Sequence, residues 1–176
     1  MQSGVGIRAT VGLPLADFLT EELQLSEDDQ SFIDALVLDG MPVDDPSVAI
    51  VPDGARLALA AGLPGIAGLA MKKNSAVKAL RNTITHAGST VAAPAPGRIT
   101  LALYSLVLPR LAAHFLRRGV VINPAQFTRY ARFSPDAFCL YGDLETTASR
   151  IVDEMSLERY AGELLFTAVI VPEGDK

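Results

Sequence analysis

The 176-residue chain has no tryptophan, one cysteine and few aromatic residues (6%). With so few rings, its core has to be assembled from Leu, Val, Ile and Ala, which pack by volume and need no polar partner. The lone Cys139 excludes an internal disulfide. Its neighbours Phe138, Leu140 and Tyr141 read as core, where a free thiol behaves as a small apolar group. His86 and His114, the two histidines, form no structural zinc pattern with that cysteine. The longest uncharged, mostly apolar run, residues 57–71, is interrupted by Gly62, Pro64, Gly65 and Gly68. It falls short of the roughly 20 apolar residues of a spanning helix. The first residues carry Arg8, Asp17 and a proline-broken apolar run, unlike a secretory leader. A cytoplasmic protein away from membranes is expected. No serine sits in a Gly-x-Ser-x-Gly elbow, and the spaced glycines 62, 65 and 68 match neither phosphate-loop pattern. No metal and no cofactor is expected, and the chain reads as non-enzymatic.

Acidic residues are missing from the whole middle of the chain. Between Asp53 and Asp136 there are eleven bases and no acid. Residues 1–53 hold eleven acids with Arg8 as their one base, and residues 136–176 hold nine acids against three bases. Such asymmetry either creates a basic face that attracts anions or is neutralised by the acidic ends, within one chain or across a homo-oligomer. The expected helix 106–118 carries Arg110, His114, Arg117 and Arg118 at i, i+4, i+7 and i+8, on one face. Three guanidiniums and an imidazole suit a carboxylate or phosphate, because the arginine fork matches those groups bidentately. These four are the candidate anion-binding residues, with Arg129 and Arg132 following in sequence. The competing reading is a helix face paired with the acidic C-terminal segment. Tyr104, Phe115, Phe127, Tyr130 and Phe133 accompany the basic middle. A nucleic-acid surface needs such rings exposed, and these read equally as core, so no strong nucleic-acid signal results.

Local patterns give the elements. Residues 6–11 read as a strand, and Leu15, Phe18, Leu19 and Leu23 fall at near-helical spacing behind Pro14. Residues 26–29 read as a turn and residues 32–38 as a strand. Asp39-Gly40 is a hairpin signal, and residues 41–43 continue as an edge where proline is tolerated. Asp44-Asp45 and Glu27-Asp28-Asp29 lack the alternation and glycine of a calcium loop and read as turn chemistry. After the turn Pro52-Asp53-Gly54, residues 55–60 read as a strand. Residues 92–97 (AAPAPG) favour extended polyproline geometry and read as a linker. A strand is expected at 99–104, then a helix 106–118 capped by Ser105 and ended by Gly119, then a strand at 120–122. That strand–helix–strand order points to a parallel pair. Beyond it, residues 138–141, a helix from Asp143 to Met155 and a strand at 163–171 complete the expectation.

Residues 35–60 (ALVLDGMPVDDPSVAIVPDGARLALA) carry a resemblance. A strand (36–38) reaches Asp39-Gly40, then the polar pair Val43-Asp44, then a second turn at Asp53-Gly54 and a last strand (57–60) ending at an apolar patch. This order resembles the β-grasp, or ubiquitin-like, sulfur carriers of thiamine and molybdopterin synthesis over about residues 5–68. The resemblance implies a β-grasp domain whose sheet face and edges meet partner proteins. The family's first hairpin is shortened here to about ten residues ahead of the helix. Its terminal Gly-Gly, whose carboxylate becomes a thiocarboxylate, has Gly65 and Gly68 as nearest counterparts, both internal. The expectation is therefore an α+β chain with a β-grasp-like domain at 1–68, a basic Ala/Pro connector at 69–97 and an αβ domain at 98–176. It would act as a non-enzymatic interaction module, bound to another protein or to its own copy. Two alternatives stand beside it: a sulfur carrier or modifier released by cleavage after Gly65 or Gly68, and a binder of a small anion through the Arg110 helix face.

Overall fold

The computed structural model describes residues 1–65 and 93–122 and, as backbone, the strand Leu164–Phe166. Strands and helices are mixed, as an α+β chain requires. Residues 1–65 and 93–120 belong to a first unit, and residues 121–122 and 164–166 to a second. Gly68, His86, Arg129, Arg132, Cys139, the 69–92 connector and the elements expected at 138–141 and 143–155 lie outside the described residues.

In the first unit β1 (Val5–Val11) leads to α1 (Leu15–Asp17), which continues as a π-helical turn, Phe18–Glu22. Next come α2 (Glu27–Phe32), β2 (Ala35–Leu38), β3 (Met41–Pro42) and β4 (Arg56–Ala61). The unit is completed by β5 (Ala95–Ser105) and α3 (Val107–Arg118). The strand β6 (Val120–Ile122) carries the chain into the second unit, where β7 (Leu164–Phe166) is its neighbour.

The strands of the first unit lie in the order β3-β2-β4-β5-β1. The central pair, β4 and β5, is parallel, with Leu57 opposite Leu101 and Leu59 opposite Leu103. β2 runs antiparallel to β4, with Leu36 opposite Leu59 and Leu38 opposite Leu57. β1 runs antiparallel to β5, with Ile7 opposite Ile99. The two-residue period of strands therefore gathers these eight apolar side chains on one face, and all of them are buried. Leu111 and Phe115 of α3, which lies against β4 and β5, are buried with them, as are Phe18 and Leu19 of the π turn beside β1. Each such side chain contributes about 1.5–3 kcal/mol. The extra residue of the π turn lets the Leu23 amide reach the Phe18 carbonyl (2.9 Å) and keeps both side chains buried.

Several expectations match. Asp39 and Gly40 both have left-handed backbones (φ 50° and 82°) and join β2 to β3 with Leu38 opposite Met41, the geometry of a type I′ turn. The helix expected at 106–118 is α3, and Gly119 ends it at φ 102°.

Others are corrected. Residues 95–97 are not linker but the start of β5, with Pro96 opposite Thr10. The Thr10 amide points away from β5 and donates to Glu22 Oε2 at 2.8 Å. The pair therefore exchanges no ladder bond, and the missing proline N–H costs nothing there. The acidic segment 26–29 is not a turn but opens α2. Ser26 accepts the Asp29 amide (3.1 Å), and three acids occupy the first helical turn, where the dipole favours them. Because Phe32 closes that helix, the strand expected at 32–38 is shortened to Ala35–Leu38. Ser105 is not the cap of α3. It has φ 51°, and its hydroxyl donates to the Gly62 carbonyl at 3.3 Å, so Leu106 stands at the N-cap without a side-chain bond. The parallel partner of β5 is β4, and with β1 on its other side no place beside it remains for β6.

Residues 98–120 thus fold with the first unit instead of starting another. β5 is the strand that connects β1 to β4, so a domain ending at residue 68 would leave β1 apart from β4.

Candidate functional site

The basic face of α3 turns toward the acidic N-terminal helices. Arg110 Nε donates to Asp29 Oδ1 at 2.7 Å, and its Nη2 donates to Asp28 Oδ2. The same guanidinium lies 4.4 Å from the centre of the Phe32 ring, a favourable cation–π placement. Hydrogen bonds from the Ser26 hydroxyl first, and from Arg110 second, hold the Asp29 carboxyl below its ordinary range. Asp29 and Asp28 in turn raise the pKa of Arg110. One helical turn on, His114 Nε2 lies 2.8 Å from the Leu23 carbonyl. A carbonyl only accepts, so this nitrogen carries the proton. The imidazole stands edge-on to Phe115, with centroids 5.0 Å apart.

A further turn along, Arg118 Nη2 is 3.9 Å from Glu22 Oε2, the oxygen that also accepts the Thr10 amide. Burial lowers the pKa of Arg118, with Glu22 opposing, and its Nη1 has no hydrogen-bond partner. Arg117 is exposed. Of the four residues expected to take an anion, Arg110, His114 and Arg118 are therefore directed at groups within residues 22–29. Among the described residues, the acids that meet Arg110 and Arg118 come from the N-terminal third of the chain; the acidic C-terminal segment lies outside the described residues. An external anion would have to displace Asp28 and Asp29 from the Arg110 fork.

At the far end of the central pair, Gly62 has φ 66°, and a Cβ there would lie 2.7 Å from Leu106 Cδ1. Its amide donates to Asp34 Oδ2 at 2.9 Å. Gly65 is exposed with φ 75° and open space around it. The Asp45 carboxylate accepts both the amide and the hydroxyl of Ser47, at 2.9 and 2.5 Å, which lower its pKa. Among the described residues no three His, Cys, Asp or Glu side chains come together to hold a metal. No described helix is long and apolar enough to cross a membrane.

A second set of arginines lies on the sheet face opposite the leucine core. Arg8 and Arg98 oppose each other across β1 and β5, and Arg56 opposes Thr100, two residues beyond Arg98 on the same face. All three are exposed. The sequence carries a signal for each, since every one is a lone charge immediately beside a core residue (Ile7-Arg8, Arg56-Leu57, Arg98-Ile99) and strand alternation sends it outward. That they share one face depends on pairing between segments more than forty residues apart, which no local pattern encodes. No family model, no curated protein and no solved structure matches this chain.

Proposed function

We propose that the first unit is a β-grasp-type, non-enzymatic module that binds another polypeptide. The observation that supports this reading is the strand order. A hairpin-like antiparallel pair, β1 with β5, flanks one side of a parallel centre, and the β2–β3 hairpin flanks the other. The first hairpin implied by the family resemblance is short of one strand in residues 5–14, and β5 supplies an antiparallel partner from much later in the chain. The elements would then follow the family's arrangement in permuted order. A sheet face with exposed charges remains for a partner, while Arg110, His114 and Arg118 of α3 are directed at groups within the unit. Native mass spectrometry of the chain isolated from its own cells tests this. A stoichiometric complex with a polypeptide, foreign or a second copy, is expected, and a bare monomer would contradict it.

The strand order weighs against release of a carrier by cleavage after Gly65 or Gly68. Such a cut would sever β4 from β5, and β1 would stay attached to the sheet only through a strand on the other fragment. The intact mass of the same native sample distinguishes the two: the full chain fits the module, and a fragment ending at Gly65 or Gly68 fits the carrier.

A further inference from the structure

α3 carries apolar residues on two faces. Val107, Leu111 and Phe115 form the buried one. On the opposite side Leu106, Pro109, Ala113 and Leu116 follow at steps of three, four and three residues, the repeat that lines side chains into one seam along a helix. Leu106 is 54% exposed, Pro109 is exposed, and Ala113 and Leu116 are half-buried. The two ends of this seam differ in charge. Near its start Arg110 is met by Asp28 and Asp29, with Glu27 immediately before them, so three acids stand against one base. The Asp28 side chain remains 83% exposed although it accepts from Arg110. At the far end Arg117 is exposed and makes no ion pair among the described residues.

We infer that the outer seam of α3 pairs with the same seam of a second copy of this chain, the two helices antiparallel about a two-fold axis between Ala112 and Ala113. The inference rests on the reading of the unit as a polypeptide-binding module and names a second copy as partner, through α3 and not the sheet face. A two-fold interface has to be complementary to itself. Antiparallel pairing meets that condition, because it brings Arg117 of each copy to the acid-rich end of the other, where the open Asp28 carboxylate can accept a second guanidinium. Parallel pairing would set Arg117 against Arg117 and acids against acids. The small Ala112 and Ala113 at the axis let the two backbones approach, and Leu116 of each copy then lies beside Pro109 of the other. The formal net charge of −5 on each copy is screened beyond about 8 Å at physiological salt, so the charges at the seam decide the pairing. A membrane surface fits less well, because the acids at the start of the seam oppose anionic lipid. The twelve residues of α3 span about 18 Å. Such a face is smaller than a standard interface, so a weak dimer with a Kd of about 10–100 µM is expected.

Sedimentation equilibrium of the full chain from about 5 to 500 µM tests the inference. A monomer–dimer equilibrium is expected. Arg117→Glu should weaken it at least about tenfold, since it sets an acid against the acid-rich end. Leu106→Ser should weaken it about threefold by removing the exposed end of the seam. Serine at the N-cap also supplies the side-chain bond that α3 lacks, so the fold is retained. Arg8→Ala, on the sheet face, should change nothing. A monomer at every concentration, a dimer that Arg117→Glu and Leu106→Ser leave intact, or a monomer that co-sediments with vesicles of anionic phospholipid overturns the inference. If the native complex contains a foreign polypeptide while the pure chain stays monomeric, the module stands and only the self-pairing falls. A bare monomer in both experiments removes the module as well.

Discussion

Arg110 and Arg8 are the same residue type on two surfaces of one unit, with opposite surroundings. Arg110 meets Asp28, Asp29 and the Phe32 ring. Arg8 faces another arginine. Along the sequence the first sits in a conspicuous basic cluster and the second is the lone base of an acidic third. The charges cluster on α3, but there Arg110 and Arg118 meet carboxylates, whereas among the described residues the isolated Arg8 meets none. A count of charges along a chain measures the supply of cations, and only the fold shows which of them are already matched.

The difference can be broken from the α3 side first. Phe115 is fully buried between α3 and the sheet, so Phe115→Ala should cost about 3–5 kcal/mol, read from urea unfolding. Ser26→Ala removes the cap of α2 and should cost about 1 kcal/mol by the same measurement. A still smaller loss is expected from Arg110→Ala, and its pH dependence identifies the pair. The folded-state pKa of Asp29 is depressed from its ordinary 3.8, so its contribution is complete above that value and is lost as pH falls through the lower folded value. The gap between wild type and Arg110→Ala should accordingly be constant near neutrality and narrow below pH 3.8. The smallest effect belongs to the sheet side. Arg8→Ala relieves a like-charge opposition and should leave stability unchanged or raise it by about 0.2–1 kcal/mol. A clear loss there would mean that Arg8 is held as Arg110 is.

The parts of this fold written in short range were legible. Asp39-Gly40 specifies its turn because both residues tolerate a left-handed backbone, and the apolar spacing of Leu111 and Phe115 specifies a helix and its buried face. The parts written in long range were not. Residues 95–97 look like an extended linker because Pro96 cannot donate, and only the Thr10–Glu22 bond reveals a site in the ladder where no donor is needed. Ser26 looks like a turn residue until the Asp29 amide is seen to use its oxygen. The anion-binding reading of Arg110, His114 and Arg118 depended on what faces them, and residues 22–29 meet α3 through contacts between segments 81 to 91 residues apart. The outward arginines could have been found strand by strand from alternation, but not as a group.

The most direct test of the central contrast is NMR of the arginine Nε–H groups of the full chain. The Arg110 proton, donated to Asp29, should exchange slowly with water, and the Arg8 proton should exchange fast. A protected Arg8 proton beside a fast-exchanging Arg110 would contradict the account and return the open cation to the helix.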